Sequence, residues 1–125
     1  MPRAVRYENL PHDLNSFVGR EAEAADLRQV LSTARLLTLS GPGGVGKTRL
    51  ALRLAAEVAA GRGASVSDLN ALAVDGVWRA RLGALTDPCL VPAAVAMALG
   101  LSEKPGRRLL DTLADFLHPR RAMLV

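Results

Sequence analysis

The residue types that could do chemistry are concentrated at positions 41–48, in the octapeptide Gly-Pro-Gly-Gly-Val-Gly-Lys-Thr. The spacing is G-x-x-x-x-G-K-[ST], the pattern of a phosphate-binding loop. Glycine has no Cβ, so the backbone can curl at positive φ and point its amides inward as a nest for anionic oxygens. Lys47 adds a positive charge for the β- and γ-phosphates, and Thr48 adds a hydroxyl for a phosphate-bound Mg²⁺. The pattern therefore predicts a nucleoside triphosphate site.

The segments on either side of this loop predict the elements that must position it. Residues 35–40, Arg-Leu-Leu-Thr-Leu-Ser, form a short apolar run typical of a strand. From about Gly46 to position 60, apolar residues recur at helical spacing, which predicts a helix whose positive dipole end faces the phosphates. Strand, glycine-rich loop and helix are the context that the motif requires.

The predicted nucleotide contacts in the motif and the first helical turn are Gly41, Gly43, Gly44, Val45, Gly46, Lys47, Thr48 and Arg49. Two alternatives are weaker. The glycines also match the dinucleotide pattern G-x-G-x-x-G, but the Lys-Thr pair has no role there and no acid follows a clear second strand at the usual distance. An ordinary glycine-rich turn is the other alternative, but a chance match to the full motif is rare in a chain this short.

The composition limits the chain to one domain or part of one. Half of its 125 residues are apolar but only 3% are aromatic, so leucine, alanine and valine must fill the core. No apolar run approaches the roughly 18 residues of a membrane span, and the first residues lack the apolar part of a signal peptide. The single cysteine, Cys89, has no partner for an internal disulfide. It lies in an apolar stretch, which predicts a small buried residue in a cytoplasmic protein rather than a reactive thiol.

The net charge of +4 raises the question of nucleic-acid binding. The basic residues are scattered, and the densest groups are the arginine pairs at 107–108 and 120–121. No aromatic residues are interleaved with them and no DNA-reading motif is present, which favours a solvated basic surface. His12 and His118 are isolated, without the spacing of metal ligands, and are predicted at the surface or at helix ends.

Outside the loop, the N-terminal part predicts a lead-in and one helix. Residues 1–15 are polar, contain two prolines and predict a flexible lead-in. Residues 21–34 carry apolar residues at helical spacing and acids in the first turns, where the helix dipole favours them. Glycines at 61 and 63 are expected to end the helix that follows the loop, and residues 62–75 predict a loop.

The C-terminal part predicts two strands and two helices. Residues 76–82 alternate in polarity, which predicts a half-exposed strand with Trp78 in the core or on the sheet face. A helix is predicted to begin at Pro92, after a Thr-Asp-Pro start signal, and to end at Gly100. A second, strongly amphipathic helix is predicted over 109–117, before a proline. Residues 122–125 look like the start of a buried strand.

Two motifs together resemble a known family. The sequence Phe-Val-Gly-Arg-Glu at 17–21 precedes the glycine-rich loop at 41–48. This pairing resembles the NB-ARC-like ATPase domain of STAND regulators, a branch close to AAA+ ATPases, and above all the domain of bacterial LuxR-type transcriptional regulators. Residues 75–78, 82–92 and 113–117 are similar to the same group, so the resemblance covers about residues 9–125.

The resemblance implies an α/β fold: a P-loop NTPase with three layers, α/β/α, and a parallel sheet, of which residues 16–125 form the N-terminal part. It implies that Val18 and Gly19 contact the adenine and that Arg20 adds charge near the nucleotide. A hydrophobic staple at the helix entry is the alternative role for Phe17 and Val18. The implied cofactors are ATP or ADP with Mg²⁺. The implied partners are the remaining domains of a cytoplasmic regulator, with DNA bound only through domains outside residues 1–125 and no membrane.

The sequence also departs from that family. The Walker B acid, which helps to hold Mg²⁺ and to polarise water, would follow residues 122–125. We therefore expect a sheet truncated at the Walker B strand and nucleotide binding without competent hydrolysis. The strand that normally lies between the P-loop and Walker B strands is also expected to be missing, which would leave residues 35–40 with unpaired edges. Two alternatives stay open: part of an AAA+ motor or P-loop kinase, and a non-functional truncated product.

Overall fold

The structure is a computed structural model that describes residue 10 and residues 20–44, 46–60 and 73–125. These residues form a mixed α/β arrangement of helices around a small parallel sheet. In chain order the described elements are α1 (Glu21–Leu31), α2 (Lys47–Ala60), β1 (Gly76–Trp78), a 3-10 turn (Pro88–Leu90), α3 (Val91–Ala98), α4 (Leu109–Leu117) and β2 (Ala122–Leu124). The predicted lead-in at 1–15 and most of the predicted loop at 62–75 lie outside the described residues.

The sheet consists of β1 and β2, which run parallel with Val77 opposite Met123. Hydrogen bonds extend the ladder past the strand ends, because Val125 N–H donates to the Trp78 carbonyl at 2.8 Å and its own carbonyl accepts from Ala80 N–H at 2.8 Å. At the other end, the carboxylate of Asp75 accepts a hydrogen bond from Arg121 N–H at 2.8 Å. The short pairing is therefore fixed at both ends.

Helix α2 lies between α1 and the sheet because two of its faces are apolar. One face packs on α1 in a buried cluster of Ala24, Leu50 and Leu54. The other face packs toward β1, in a buried cluster that comprises Leu10, Leu52, Ala55, Val58, Ala59, Ala73 and Val77. The helix that follows the glycine-rich loop is thus held on two sides.

A third cluster joins β1 to α3 and α4. Its buried members are Trp78, Ala96, Leu99 and Leu113. The Phe116 ring meets Trp78 edge-on, with ring centroids 6.2 Å apart and planes at 77°, a geometry that aromatic pairs favour. Among the described residues, Trp78 Nε1 and the Thr112 hydroxyl are buried without a hydrogen-bond partner. Each such group costs about 1–3 kcal/mol, which offsets part of the packing.

The helices agree with the sequence prediction except at two ends. Helix α1 ends at Leu31 and not at position 34, because the Ser32 and Thr33 hydroxyls donate to the carbonyls of Gln29 and Val30 and compete with the helix. Helix α3 begins at Val91, one residue before the predicted start. Helix α4 covers Leu109–Leu117 as predicted, and His118 forms its exposed C-terminal cap.

The prediction that Cys89 is buried is wrong. Cys89 is exposed in the 3-10 turn that leads into α3. Asp87 caps this turn by accepting a hydrogen bond from Cys89 N–H at 2.9 Å. The turn lies outside all three apolar clusters, so an apolar sequence context did not mean a buried position here.

Three strand predictions also need correction. The segment at 76–82 forms a strand only over Gly76–Trp78, and all three residues are buried instead of half-exposed. Strand β2 is half-buried to exposed and not buried, and within the described residues only its edge toward β1 is paired. Residues 35–40 form no strand. Residues of this run and of β2 line a common cleft of about 780 Å³, and Leu39 packs against the cluster between α1 and α2. The run has no partner strand in the part of the chain that the structure describes.

Candidate phosphate-binding site

The octapeptide at 41–48 leads directly into the N-terminus of α2. Gly44 and Gly46 adopt φ of +83° and +84°, a region that other residues rarely enter. A Cβ on Gly44 would meet nothing within 4 Å, so the need for glycine there is conformational and not steric. The Gly46 carbonyl accepts a hydrogen bond from Leu50 N–H at 3.0 Å, which starts the helix. The described part of the loop therefore has a backbone shape that depends on glycine.

The start of α2 carries cations where a helix normally favours acids. Its first turn contains Lys47 and Arg49 and no acidic residue. By contrast, the first turn of α1 contains Glu21 and Glu23. The positive end of the helix dipole disfavours each nearby cation by about 0.3–1 kcal/mol. A bound anion would turn this unfavourable arrangement into a favourable one.

The ammonium of Lys47 is held at the loop by main-chain oxygens. Its Nζ donates to the Gly41 carbonyl at 2.5 Å and to the Pro42 carbonyl at 3.0 Å. These neutral acceptors make weaker hydrogen bonds with an ammonium than a phosphate oxygen does. A phosphate oxygen at the loop would therefore compete with these two carbonyls for the Lys47 ammonium.

Arg20 brings a third cation to the same place. It is the N-terminal cap residue of α1, and its carbonyl accepts a hydrogen bond from Ala24 N–H at 3.0 Å. Its guanidinium atoms lie 3.9–4.0 Å from the point that a Cβ on Gly46 would occupy. The same guanidinium lies 3.7 Å from the Glu23 carboxylate. Arg20 thus depends on the position of α1 for its place beside the loop.

Thr48 is exposed in the first turn of α2 and lines the cleft together with Lys47. No hydrogen bond joins its hydroxyl to another described residue, so the oxygen is available to a ligand. Within the described ranges, no group of three or more His, Cys, Asp or Glu residues could hold a metal ion by itself. An Mg²⁺ at this loop would have to take most of its ligands from phosphate and water, as Mg²⁺ often does.

The structure brings eight of the predicted contact residues together in or beside the loop at the start of α2. They are Arg20, Gly41, Gly43, Gly44, Gly46, Lys47, Thr48 and Arg49. The remaining three, Val18, Gly19 and Val45, lie outside the described residues. The adenine contacts that the resemblance implied for Val18 and Gly19 therefore stay predictions.

An ion-pair cluster between α1 and α2 was not anticipated. The Glu57 carboxylate accepts hydrogen bonds from Arg28 Nε at 2.7 Å and Arg28 Nη2 at 3.0 Å, a bidentate pair. Glu57 also accepts one from Arg53 Nε at 3.2 Å, and Arg53 Nη2 reaches Glu21 at 3.2 Å. The four-residue spacing of Arg53 and Glu57 was the one signal visible in the sequence. The pairing with Arg28 required the fold.

The environment of this cluster favours the charged forms of Glu57 and Arg28. Burial disfavours the charged form of Glu57, but the hydrogen bonds and charges of Arg28 and Arg53 outweigh it, so the pKa of Glu57 lies below its ordinary value. The hydrogen bond to Glu57 raises the pKa of Arg28. The side chains of Arg28, Arg53 and Glu57 are each only 20% exposed, so water screens the cluster less than it would a surface pair.

Three of the four arginines in the pairs at 107–108 and 120–121 contact other groups of the chain through their side chains. Arg108 pairs with Asp111 at 3.0 Å, and Arg107 pairs with Asp115. The Arg120 guanidinium lies over the Phe116 ring, 3.9 Å from its centroid. The preference for a solvated basic surface over nucleic-acid binding stays a prediction.

No model of a known protein family matches the chain, and no solved structure matches it. Among the residues that the structure describes, none of the helices combines the length and the apolar character that crossing a bilayer would require.

Similar sequences occur in mycobacteria. The uncharacterized protein Rv0894 of Mycobacterium tuberculosis is 38% identical over 126 residues, and so is the uncharacterized protein Mb0918 of Mycobacterium bovis. The match covers all of this chain but only 29% of those proteins. A proposed HTH-type transcriptional regulator of M. tuberculosis, Rv0890c, is 39% identical over 99 residues, which are 79% of this chain and 10% of that protein. The chain thus resembles part of several much longer proteins.

Proposed function

We propose that this chain is the phosphate-binding part of a regulatory nucleotide switch that takes ATP or ADP with Mg²⁺. The observation that carries the proposal is the combination of positive-φ glycines with a helix start that bears cations and no acid. Such a loop offers inward amides, a helix dipole and an ammonium to the same anion. A structural turn needs none of these together.

In this proposal each group of the site has a separate role. Gly44 and Gly46 shape the loop so that its amides meet the β- and γ-phosphates, and Lys47 exchanges its carbonyl partners for phosphate oxygens. The hydroxyl of Thr48 would hold Mg²⁺ beside those phosphates. Arg20 would add charge from the α1 side of the loop.

We further propose that the switch belongs to a STAND-type transcriptional regulator with a three-layer P-loop NTPase domain. Support comes from the motif at 17–21, from the loop, and from the similarity to part of a proposed HTH-type transcriptional regulator. In the longer protein, ATP or ADP would favour one of two domain arrangements by binding one of them more tightly. DNA contact would be made by domains outside these residues.

The test is the affinity of the purified chain for Mg-ATP and ADP, measured by isothermal titration calorimetry. Lys47→Ala removes a charge-assisted contact of about 1.5–3 kcal/mol, so we expect affinity to fall roughly 10- to 150-fold. Lys104→Ala is the matched control, because Lys104 is the other lysine and is exposed in the segment before α4. The control should bind like the wild type.

An affinity of Lys47→Ala within threefold of the wild type would contradict the role of Lys47. No binding by a wild-type chain that still shows a cooperative thermal transition would contradict the proposed function as a whole. Ligand should also raise the melting temperature of the wild type and of Lys104→Ala, because a ligand that binds only the folded state stabilises it.

A further inference from the structure

We propose that Glu57 is a positioning residue of the phosphate site: by clamping α1 onto α2, it holds the Arg20 guanidinium beside Gly46, where a polyphosphate would meet it. This inference rests on the proposed function, because it assigns Glu57 a role in the same site. Glu57 lies in the third turn of α2 and outside the loop, so it acts through Arg20 and is not itself a phosphate contact.

The clamp is strongest at Glu57. Its carboxylate takes both Nε and Nη2 of Arg28 on α1 while also accepting from Arg53 on its own helix. A bidentate arginine–carboxylate pair fixes the relative position and the orientation of the two groups. Because Arg28 belongs to the last turn of α1 and Glu57 to the second half of α2, this pair ties down the ends of the helices that are farther from the loop.

A second link runs toward the loop. Arg53 reaches from α2 to Glu21, the first residue of α1 and the direct neighbour of Arg20. Glu21 is 79% exposed in its side chain, so this link alone is weak. Arg53 is also oriented by Glu57, because its Nε donates to that carboxylate. Glu57 thus forms the first link directly and orients the arginine of the second link.

The N-terminal end of α1, which begins next to Arg20, is positioned by these two links. The Arg20 carbonyl is the acceptor for Ala24 N–H, so its backbone moves with the helix. Ala24 is fully buried against Leu50 and Leu54 of α2, which supplies an apolar pivot between the clamp and the loop. A shift of α1 about this pivot would displace the guanidinium from its place 3.9–4.0 Å from the Gly46 Cβ position.

The test is a double-mutant cycle on the full chain, with Mg-ATP as the probe in isothermal titration calorimetry. The variants are Glu57→Gln, Arg20→Ala and the double variant. Glu57→Gln keeps the size of the side chain and removes its charge. We expect it to lower affinity roughly three- to tenfold in the wild type but less than twofold in the Arg20→Ala background, because residues that act through one another are not additive.

Two further variants distinguish an effect through Arg20 from a general loss of folding. Arg28→Gln breaks the same pair from the α1 side and should give the same dependence on Arg20. Asp111→Asn breaks the Arg108 pair on α4 and is the matched control, which should bind like the wild type. Circular dichroism melts establish that each compared variant is folded at the temperature of the titration.

Equal losses of Mg-ATP affinity from Glu57→Gln in the wild-type and Arg20→Ala backgrounds would overturn the positioning role. Unchanged Mg-ATP affinity in both Glu57→Gln and Arg28→Gln would also overturn it. Either result can occur while Lys47→Ala still loses affinity, so the proposed function would survive. Absence of Mg-ATP binding in the folded wild type would overturn both proposals.

Discussion

Two apolar runs of this chain were expected to form strands, and only one of them does. Residues 35–40 are the longer run, yet no main-chain hydrogen bond joins them to another described residue and they form no strand. The run at 122–124 is shorter, but it pairs with β1 in a continuous ladder. The two runs differ in whether a partner strand lies beside them and not in their intrinsic preference for the strand conformation, since a strand exists only as part of a sheet.

The two regions are also held together by different forces. Residues 73–125 combine a hydrogen-bonded ladder with an apolar cluster around Trp78. Residues 20–60 combine an apolar contact between α1 and α2 with the ion-pair cluster at Glu57. The region that carries the phosphate loop therefore depends on a half-buried ion-pair cluster, whereas the Arg107–Asp115 and Arg108–Asp111 pairs of the sheet region are exposed and are screened more by water and salt.

Among variants that should stay folded, the largest loss of stability is expected from Trp78→Ala in the sheet region. Removing a buried tryptophan side chain costs about 3–5 kcal/mol of unfolding free energy. The lower end is expected here, because the substitution also removes the unpartnered Nε1. Urea denaturation followed by circular dichroism measures the loss. Leu110→Ala, on the exposed face of α4, should change stability by no more than about 0.5 kcal/mol. A loss below 1 kcal/mol for Trp78→Ala would contradict the central role of this cluster.

A smaller loss of stability is expected at acid pH, and it should arise in residues 20–60, the region that contains Glu57. The folded-state pKa of Glu57 is lowered, so its stabilisation is complete above its ordinary value of 4.5 and is lost as the pH falls below 4.5 through the folded-state pKa. Urea denaturation across this range should show a steeper loss for the wild type than for Glu57→Gln. The variant is the necessary control because the pKa of Asp111 is also lowered, by Arg108. Parallel pH profiles would contradict the lowered folded-state pKa of Glu57.

The smallest effect is expected from Leu36→Lys in the unpaired run. Leu36 is 84% exposed, so the change should alter unfolding free energy by no more than about 0.5 kcal/mol. The same substitution at Val77, which is fully buried in β1, would place an ammonium in the core and should abolish the cooperative transition. A large loss for Leu36→Lys would mean that residues 35–40 are paired in solution, and the contrast between the two runs would disappear.

Local patterns were sufficient to predict the helices and the glycine loop. The amphipathic repeat of 109–117 and the glycine at the end of α3 need no distant partner, and both predictions are confirmed. Gly100, at φ +72°, adopts the backbone that such a helix end requires. The same holds for Gly44 and Gly46, whose positive φ follows from the loop motif.

Features that depend on contacts between distant residues were not predictable. The burial of Gly76–Trp78 depends on helices that come before and after it in the chain. The Arg28–Glu57 pair joins residues 29 positions apart. Cys89 is exposed because the turn at Pro88–Leu90 leads away from the core, which an apolar sequence context does not reveal. In each case the sequence specifies the residue type, and the tertiary arrangement determines its environment.

The one-sided pairing of β2 has a consequence for hydrogen exchange. The Val125 N–H donates to the Trp78 carbonyl of β1. In a parallel ladder, amides two residues apart on one strand face the same neighbouring strand, and the amides between them face the opposite side. The amides of Ala122 and Leu124 therefore point to the side of the cleft. We expect them to exchange with deuterium quickly, while those of Met123 and Val125 are protected. Exchange at Met123 and Val125 would thus report on the pairing of β2 with β1, and exchange at Ala122 and Leu124 would report on any group that binds at the unpaired edge of β2.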